Sequence, residues 1–149
     1  MTPVAEEATA ITVEPATVAS LMALAPLYVM LSEAHRKAIT EAAAAAKLRL
    51  MFEAGARGAL FSQHGRVIGS AMWMEMGDHV FIRHFVIEPA LRGRGVGRKI
   101  AARLVAEQIG AHREIRLEAA LPQTVAFWEG CGFDPRGTAL GRVPKETSC

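Results

Sequence analysis

The stretch LRGRGVGRKI, residues 91–100, constrains the fold of this chain more than any other feature. It follows an apolar run that Pro89 ends, and apolar residues at helical spacing begin directly after it. A strand, a glycine-rich turn and a helix start in this order bring several backbone N–H groups together at the positive end of the helix dipole. Glycine lets a ligand approach the main chain, while Arg92, Arg94 and Arg98 carry charges suited to phosphate oxygens. The stretch therefore predicts an anion-binding loop.

The rest of the chain predicts a mixed α/β sheet with helices on both faces, in one domain of 149 residues. The first predicted elements are a strand at 10–13 ending at Pro15 and a helical region from Thr17 to about Ala54, which Pro26 kinks or splits. Three strands follow at 58–63, 66–76 and 79–88. The last elements are a helix from Val96 to Ile109, a strand at 114–121, a helix from Pro122 to Gly130 or Gly132, and one or two short final strands. Turns at 64–65 and 77–78 make the three middle strands an antiparallel meander.

Composition excludes several classes of protein. The net charge of +2 gives no general affinity for nucleic acid or membranes. The longest uncharged run, Pro15 to Ser32, is too short and too broken at Pro26 to span a bilayer, and acidic residues precede it where a signal peptide would be basic. Two cysteines do not form a disulfide framework, and five scattered histidines have no metal-ligand spacing. We therefore expect a cytoplasmic protein without a metal site.

Three phosphate-binding loops compete for the glycine–arginine stretch. A Walker A loop requires Gly-Lys-Ser/Thr, which is missing. A dinucleotide fingerprint requires a third glycine where Arg98 stands, and its strand would belong to a parallel sheet rather than a meander. The pattern R-x-x-G-x-G is matched by Arg92, Gly95 and Gly97 directly after a strand. Alternatively, the stretch is a basic surface turn that binds nothing. Its position between a strand and a helix disfavours this alternative.

Two segments carry a family resemblance. FVIEPALRGRGVGRKIAARLV (85–105) resembles the acetyl-CoA-binding motif of the GCN5-related N-acetyltransferase (GNAT) superfamily. AFWEGCGF (126–133) resembles the late helix of that family and the Gly-Phe that leads into its last strands. The resemblance implies a mostly antiparallel mixed sheet, splayed between its fourth and fifth strands. It also implies one acetyltransferase domain with an N-terminal strand and acceptor-side helices (1–57), an acetyl-CoA-binding core (58–133) and a short C-terminal strand and tail (134–149).

The resemblance also implies which residues bind acetyl-CoA. The pyrophosphate would lie on the backbone amides from Arg92 to Gly97, the pantetheine arm would run along Phe85–Ile87, and Phe127 and Trp128 would flank the thioester. The implied cofactor contacts are Phe85, Val86, Ile87, Arg92, Gly93, Arg94, Gly95, Val96, Gly97, Arg98 and Phe127.

Candidates for acid–base chemistry are Glu75, His84, Glu88 and Trp128. His84 has a suitable ordinary pKa for a base, but it alternates with Ile82 and Val86, which predicts a packed residue unless a bulge changes the parity of the strand. Glu75 and Glu88 lie near strand ends, where solvated charges are common. Trp128 stands where the family often has a tyrosine that protonates the thiolate, and indole cannot serve as that acid.

The sequence thus predicts an acetyl-CoA-dependent N-acetyltransferase that acts on a primary amine of a small molecule, peptide or protein. The acceptor side would be the early helices with the segment Leu27 to Arg36. The alternative is a catalytically weak GNAT-like module that binds acyl-CoA or a partner, which the missing tyrosine favours. Action on charged tRNA is disfavoured by the modest charge. A short final strand leaves an uncovered sheet edge, from which we predict a possible homodimer.

Overall fold

A computed structural model of the chain describes residues 11–93, 95–110, 113–118, 122–136 and 139–142. The strands are β1 Ile11–Ala16, β2 Arg57–Gln63, β3 Arg66–Glu75, β4 Val80–Ile87, β5 Ile115–Glu118, β6 Asp134–Arg136 and β7 Ala139–Arg142. The helices are α1 Leu21–Ala34, α2 Glu41–Glu53, α3 Val96–Leu104, which a π-helical turn at Val105–Ile109 continues, and α4 Pro122–Gly130. Short 3-10 turns lie at Val18–Ser20 and Pro89–Leu91.

The described strands form one sheet in the order β1-β2-β3-β4-β5-β7-β6. Only β4 and β5 run parallel among the described pairs. Their ladder holds three residue pairs, from Val80–Ile115 to Ile82–Leu117. The next residues, Arg83 and Glu118, are both described and are not paired, so the two strands separate there. The predicted mixed, mostly antiparallel sheet that opens between its fourth and fifth strands is confirmed.

The early helical region divides at a different point from the one predicted. α1 continues through Pro26, which has no N–H to donate to the carbonyl four residues earlier, that of Met22. Water can replace this donor because Met22 is 93% exposed. The region divides at 35–40 instead. Arg36 there adopts a left-handed φ of 58°, and the Thr40 side chain caps α2 by accepting from the N–H of Ala43 at 3.1 Å. The predicted split at Pro26 is therefore wrong.

The first strand also extends further than predicted. It continues through Pro15 to Ala16, and Pro15 pairs with Ala59 of β2. Because β1 is the edge of the sheet, a proline is tolerated where its missing donor would face solvent. Gly58 is part of β2, as predicted, while Gly55 follows α2 with a φ of 102°.

Separate apolar cores cover the two faces of the sheet. On one face, α3 and α4 pack on the strands through a core that includes Phe61, Trp73, Ile82, Ile87, Ile100, Leu104, Leu117 and Trp128. On the other face, α1 and α2 pack through a core that includes Leu24, Leu27, Leu48, Leu60, Met72 and Val86. Helices therefore lie on both faces, and the opening between β4 and β5 lies between two packed layers.

A β-bulge changes the parity of β4 in its middle. Met72 of β3 pairs with His84 and Trp73 pairs with Ile82, so Arg83 is the extra residue. Before the bulge Ile82 faces α3, and after it Val86 faces α1 and α2. His84 contacts Tyr28 of α1. His84 therefore lies on the same face of β4 as Val86, as predicted. The prediction that it shares a face with Ile82 is wrong.

Gly69 fixes how closely β3 approaches β4, and its replacement by alanine is expected to destabilise the protein. A Cβ at this position would overlap the carbonyl oxygen of Val86 and lie 3.0 Å from Ile87 Cδ1. Overpacking of this kind costs about 1–3 kcal/mol. Urea denaturation of Gly69→Ala should therefore show a loss of at least about 1 kcal/mol. Met22→Ala, at a side chain that is 93% exposed, is the control and should stay within about 0.5 kcal/mol of wild type. Equal stability of Gly69→Ala and wild type would contradict the tight contact.

Two apolar side chains on the outer surfaces of the early helices are exposed, Met22 at 93% and Leu50 at 65%. The homodimer remains a prediction. Among the described residues, no helix has both the length and the apolar character required to cross a membrane.

Candidate active site

β4 directs backbone groups into the opening beside β5. The N–H of Glu88 donates to the carbonyl of Ile68 on β3 at 2.8 Å, and in an antiparallel ladder the backbone groups of Val86 also face β3. The backbone groups of Phe85 and Ile87 therefore face the edge from which β5 has separated. Of the three predicted pantetheine contacts, Phe85 and Ile87 offer backbone groups, whereas Val86 uses its own in the sheet.

The loop after β4 presents bare backbone at the start of α3. Gly93 and Gly95 have φ of 80° and 77°, the left-handed region that favours glycine. No atom lies within 4 Å of a Cβ position at either residue, so a ligand can approach the main chain there. Gly95 is the N-cap of α3, and the first N–H groups of the helix, including those of Val96 and Gly97, have no acceptor within the helix. This geometry suits a pyrophosphate.

The arginines of the loop have different surroundings. Arg92 Nε donates to the carbonyl of Ile87 at 3.1 Å and so ties the loop to the end of β4. The guanidinium of Arg98 lies over Gly130 at the end of α4, where a Cβ would come within 2.6 Å of it. Arg94 lies outside the described residues. Arg92 and Arg98 thus contact protein groups, which makes the backbone amides the main anion ligands that the loop offers.

An aromatic cluster fills the space between the opening and α4. Trp128 is only 4% exposed, and its ring lies 5.0 Å from the ring centroids of Phe85, Phe127 and Phe133 in edge-on contacts. Phe127 packs on Gly97, where a Cβ would lie 3.1 Å from its ring. The absence of a side chain at Gly97 therefore lets α4 approach the start of α3.

A cavity of about 220 Å³ occupies the opening and has walls from both faces of the sheet. Its lining residues are Tyr28, Leu31, Ser32, His35, Lys37, Ile82, Arg83, His84, Phe85, Leu117, Glu118, Thr124 and Trp128. Tyr28 and His84 belong to the layer of α1 and α2, whereas Phe85 and Trp128 belong to the layer of α3 and α4. The cavity therefore connects the two layers where β4 and β5 separate.

His84 is a neutral side chain in this cavity. Burial, reinforced by the positive charges of Arg83 and Lys47, lowers the pKa of its imidazole from 6.5 to about 4. Its Nδ1 atom is buried and has no hydrogen-bond partner among the described residues. The Tyr28 ring packs edge-on against it, with ring centroids 4.8 Å apart. A neutral imidazole can accept a hydrogen bond, which is what a base for an incoming amine must do.

The two acidic candidates have structural partners instead. Glu75 forms an ion pair with Arg113 at 2.7 Å at the hairpin end of β3, opposite Val80 at the start of β4. Glu88 receives hydrogen bonds of 2.9 and 2.7 Å on its two carboxylate oxygens from Nη1 of Arg66. Neither carboxylate lines the cavity. A catalytic role for Glu75 or Glu88 stays a prediction, whereas His84 and Trp128 are the predicted candidates that line the cavity.

Sequence reasoning missed several residues of the cavity, among them Arg83, Glu118 and Thr124. No sequence signal marked Glu118 or Thr124. Tyr28, by contrast, lies within the segment Leu27 to Arg36 that was predicted for the acceptor side. Among the described residues, no group of three or more histidine, cysteine or acidic side chains could hold a metal ion.

Comparisons with known proteins agree with this geometry. The crystal structure of an acetyltransferase from Thermus thermophilus is similar, with a TM-score of 0.70 at 19% identity over 88% of this chain and 93% of that one. A GNAT superfamily phosphinothricin acetyltransferase from Sinorhizobium meliloti in complex with acetyl-CoA is also similar, with a TM-score of 0.68 at 17% identity over 94% and 92%. At these identities the likeness shows a shared fold.

The sequence has no significant match among functionally curated proteins. The model of the acetyltransferase (GNAT) family, however, matches residues 24–133, which include both the glycine–arginine loop and the late helix. Because this match covers most of the chain, the protein belongs to the GNAT family of acetyltransferases.

Proposed function

We propose that this protein transfers the acetyl group of acetyl-CoA, the acetyl donor of its family, to a primary amine of a small molecule. The observation that carries the proposal is the cavity between β4 and β5, whose walls come from both layers of the molecule. A transferase needs two substrates to meet at one point, and a cavity that connects two layers lets each approach from its own side.

The cofactor side of the site is formed by β4 and the start of α3. The free N–H groups at the start of α3 would bind the pyrophosphate, and the backbone groups of Phe85 and Ile87 would bind the pantetheine arm as an added strand. Phe127 and Trp128 would close the apolar end around the thioester. The bound donor supplies an activated acetyl group on a thiolate leaving group. This assignment keeps the predicted acetyl-CoA-binding core at residues 58–133.

The acceptor side is formed by α1, the segment after it and His84. An amine attacks only as the neutral base, so the site must accept a proton or a hydrogen bond from it. His84 is proposed for this role because it lines the cavity and its ring is neutral, and a neutral imidazole has one nitrogen that can accept a hydrogen bond. Attack of the amine nitrogen on the thioester carbonyl would form the C–N bond, and an N–H of the separated β4 edge would stabilise the oxyanion. Departure of the CoA thiolate would then break the C–S bond, and the proton that the nitrogen loses would pass to the thiolate or to water.

Thiol release from acetyl-CoA in the presence of a panel of amines, followed by detection of the acetylated products, tests the proposal. Gly95→Asp and Gly95→Asn are a matched pair, since both residues have nearly the same size and tolerate a left-handed backbone, while only aspartate adds negative charge. We expect Gly95→Asp to bind CoA at least about tenfold more weakly than Gly95→Asn, a difference of about 1.4 kcal/mol by calorimetry.

The result can contradict the proposal in two ways. Failure of the wild type to bind CoA would exclude the cofactor assignment. Tight CoA binding without acetylation of any amine would instead support the alternative of a GNAT-like module that binds acyl-CoA.

A further inference from the structure

We infer that the acceptor is a small amine that carries an anionic group beside the amine, in the manner of a free amino acid. This inference rests on the proposed acetyl transfer and concerns the acceptor end of the same cavity. It follows from the charges on the cavity wall, their lack of ion-pair partners among the described residues and the size of the space.

Two of the charged groups of the cavity wall are permanent cations. Lys37 lies in the segment between α1 and α2, and Arg83 is the bulged residue of β4. Neither forms an ion pair within the described part of the chain, although Arg83 lies 5.8 Å from the ring of Phe81. Glu118 of β5 is the one acidic residue of the described lining. Two cations and one carboxylate complement a molecule with one ammonium and at least one anionic group.

The position of Arg83 strengthens the preference for an acceptor that carries an anionic group. Arg83 directly precedes His84, the residue proposed to meet the amine, and both residues line the cavity. Burial is the main cause of the lowered pKa of His84, and the charges of Arg83 and Lys47 act in the same direction. The same field disfavours a second ammonium on the acceptor and favours an anion beside the reacting nitrogen. A polyamine or a lysine side chain in a basic peptide would meet repulsion here.

The phosphates of CoA do not account for these cations. The start of α3 follows the end of β4, whereas Arg83 lies four residues before Ile87, about 13 Å away along the strand. The cations therefore lie at the acceptor end. The volume of about 220 Å³ is below the range of about 300–1,000 Å³ that is usual for drug-sized ligands, which favours an acceptor of amino-acid size.

The test compares three forms of the same acceptor: an L-amino acid, its carboxamide and the amine that lacks the carboxyl group, for several side chains. The carboxamide retains the shape and removes the charge, and its amine is less basic, so more of it is in the reactive neutral form. A higher kcat/KM for the acid than for the carboxamide therefore shows that the site favours the negative charge of the carboxylate. A charge-assisted contact predicts kcat/KM about 10- to 100-fold higher for the acid.

Arg83→Gln and Lys37→Gln should each reduce the ratio of kcat/KM for the acid to kcat/KM for its carboxamide toward unity. Arg49→Gln removes an exposed cation on α2 that does not line the cavity, and should leave the preference unchanged. Circular dichroism and thermal unfolding verify that each variant is folded.

Failures of the two proposals are distinguishable. Turnover of the carboxamides and plain amines at the same rate as the acids, or better, would overturn the anionic acceptor and leave acetyl transfer intact. A preference for acids that persists in both Arg83→Gln and Lys37→Gln would overturn the assignment to these residues. Absence of turnover with every amine would overturn the proposed function, and the acceptor inference with it.

Discussion

Trp128→Ala is expected to lower the free energy of unfolding by about 3–5 kcal/mol. Trp128 is nearly buried and contacts three other aromatic rings, so its removal would leave a cavity between α4 and the sheet. Urea denaturation measures the loss. Met22→Ala, at an apolar side chain that is 93% exposed, is the control and should change stability by no more than about 0.5 kcal/mol. A Trp128→Ala protein as stable as wild type would contradict the packing described for α4.

Conservative changes at Trp128 separate packing from catalysis. Trp128→Phe retains a ring and loses the indole N–H, and should lower turnover only modestly, because a thiolate with a thiol pKa of about 8.5 leaves without much help. Trp128→Tyr should raise turnover if the hydroxyl reaches the sulfur, since general acid catalysis contributes about 10²- to 10⁴-fold. Complete loss of activity in Trp128→Phe, with CoA affinity and stability intact, would show that the indole N–H itself takes part in the reaction.

Local rules predicted the conformation of the glycine–arginine loop well because its signals are local. The proline that ends β4, the glycines that need left-handed backbone and the helix start all lie within 89–97. The same holds for the hairpin turn at His64–Gly65, where both residues have positive φ. Backbone conformation here depends on the residue itself, so the sequence is informative.

The acceptor end could not be predicted because it depends on the register of distant strands. The bulge at Arg83 is defined by its pairing with β3, and no residue type marks it in the sequence. Without the bulge, His84 would face the side of α3 with Ile82. The ion pairs of Glu75 and Glu88 could not be predicted for a related reason, since their partners Arg113 and Arg66 lie 38 and 22 residues away. Ion pairs between distant residues are a property of the fold.

His84→Gln is expected to remove a pH dependence of stability that the wild type shows between about pH 6.5 and 4. The folded-state pKa of His84, about 4, is below its unfolded value of 6.5, so in this window the unfolded chain binds a proton that the folded chain does not. Stability therefore falls as pH falls through this window, by about 3 kcal/mol in total. Urea denaturation at pH 7 and pH 4 measures the fall.

The comparison of wild type with His84→Gln separates the effect of the imidazole from the effects of the groups around it. The charged and titratable groups around His84 are Tyr28 of α1, His35 and Lys37 of the following segment, Lys47 of α2, Arg83 of β4 and Glu118 of β5. All of them are present in both wild type and His84→Gln, so the difference between the two proteins isolates the imidazole. His64→Asn removes an exposed imidazole from the β2–β3 turn and should keep the wild-type fall.

The same variant tests the role of His84 in the reaction. A base that stays neutral down to about pH 4 produces no inflection in kcat near pH 6.5, so any rise of activity with pH above 5 reports ionisation of other groups, such as the amine itself. His84→Gln should then lower kcat by about 10²-fold or more at every pH above 5, with little change in CoA affinity. Wild-type activity with an inflection near pH 6.5 that His84→Gln abolishes would show that His84 acts as a base with the ordinary pKa of an exposed histidine, which would contradict its neutral state in this window. An unchanged kcat in His84→Gln would show that another group of the cavity accepts from the amine.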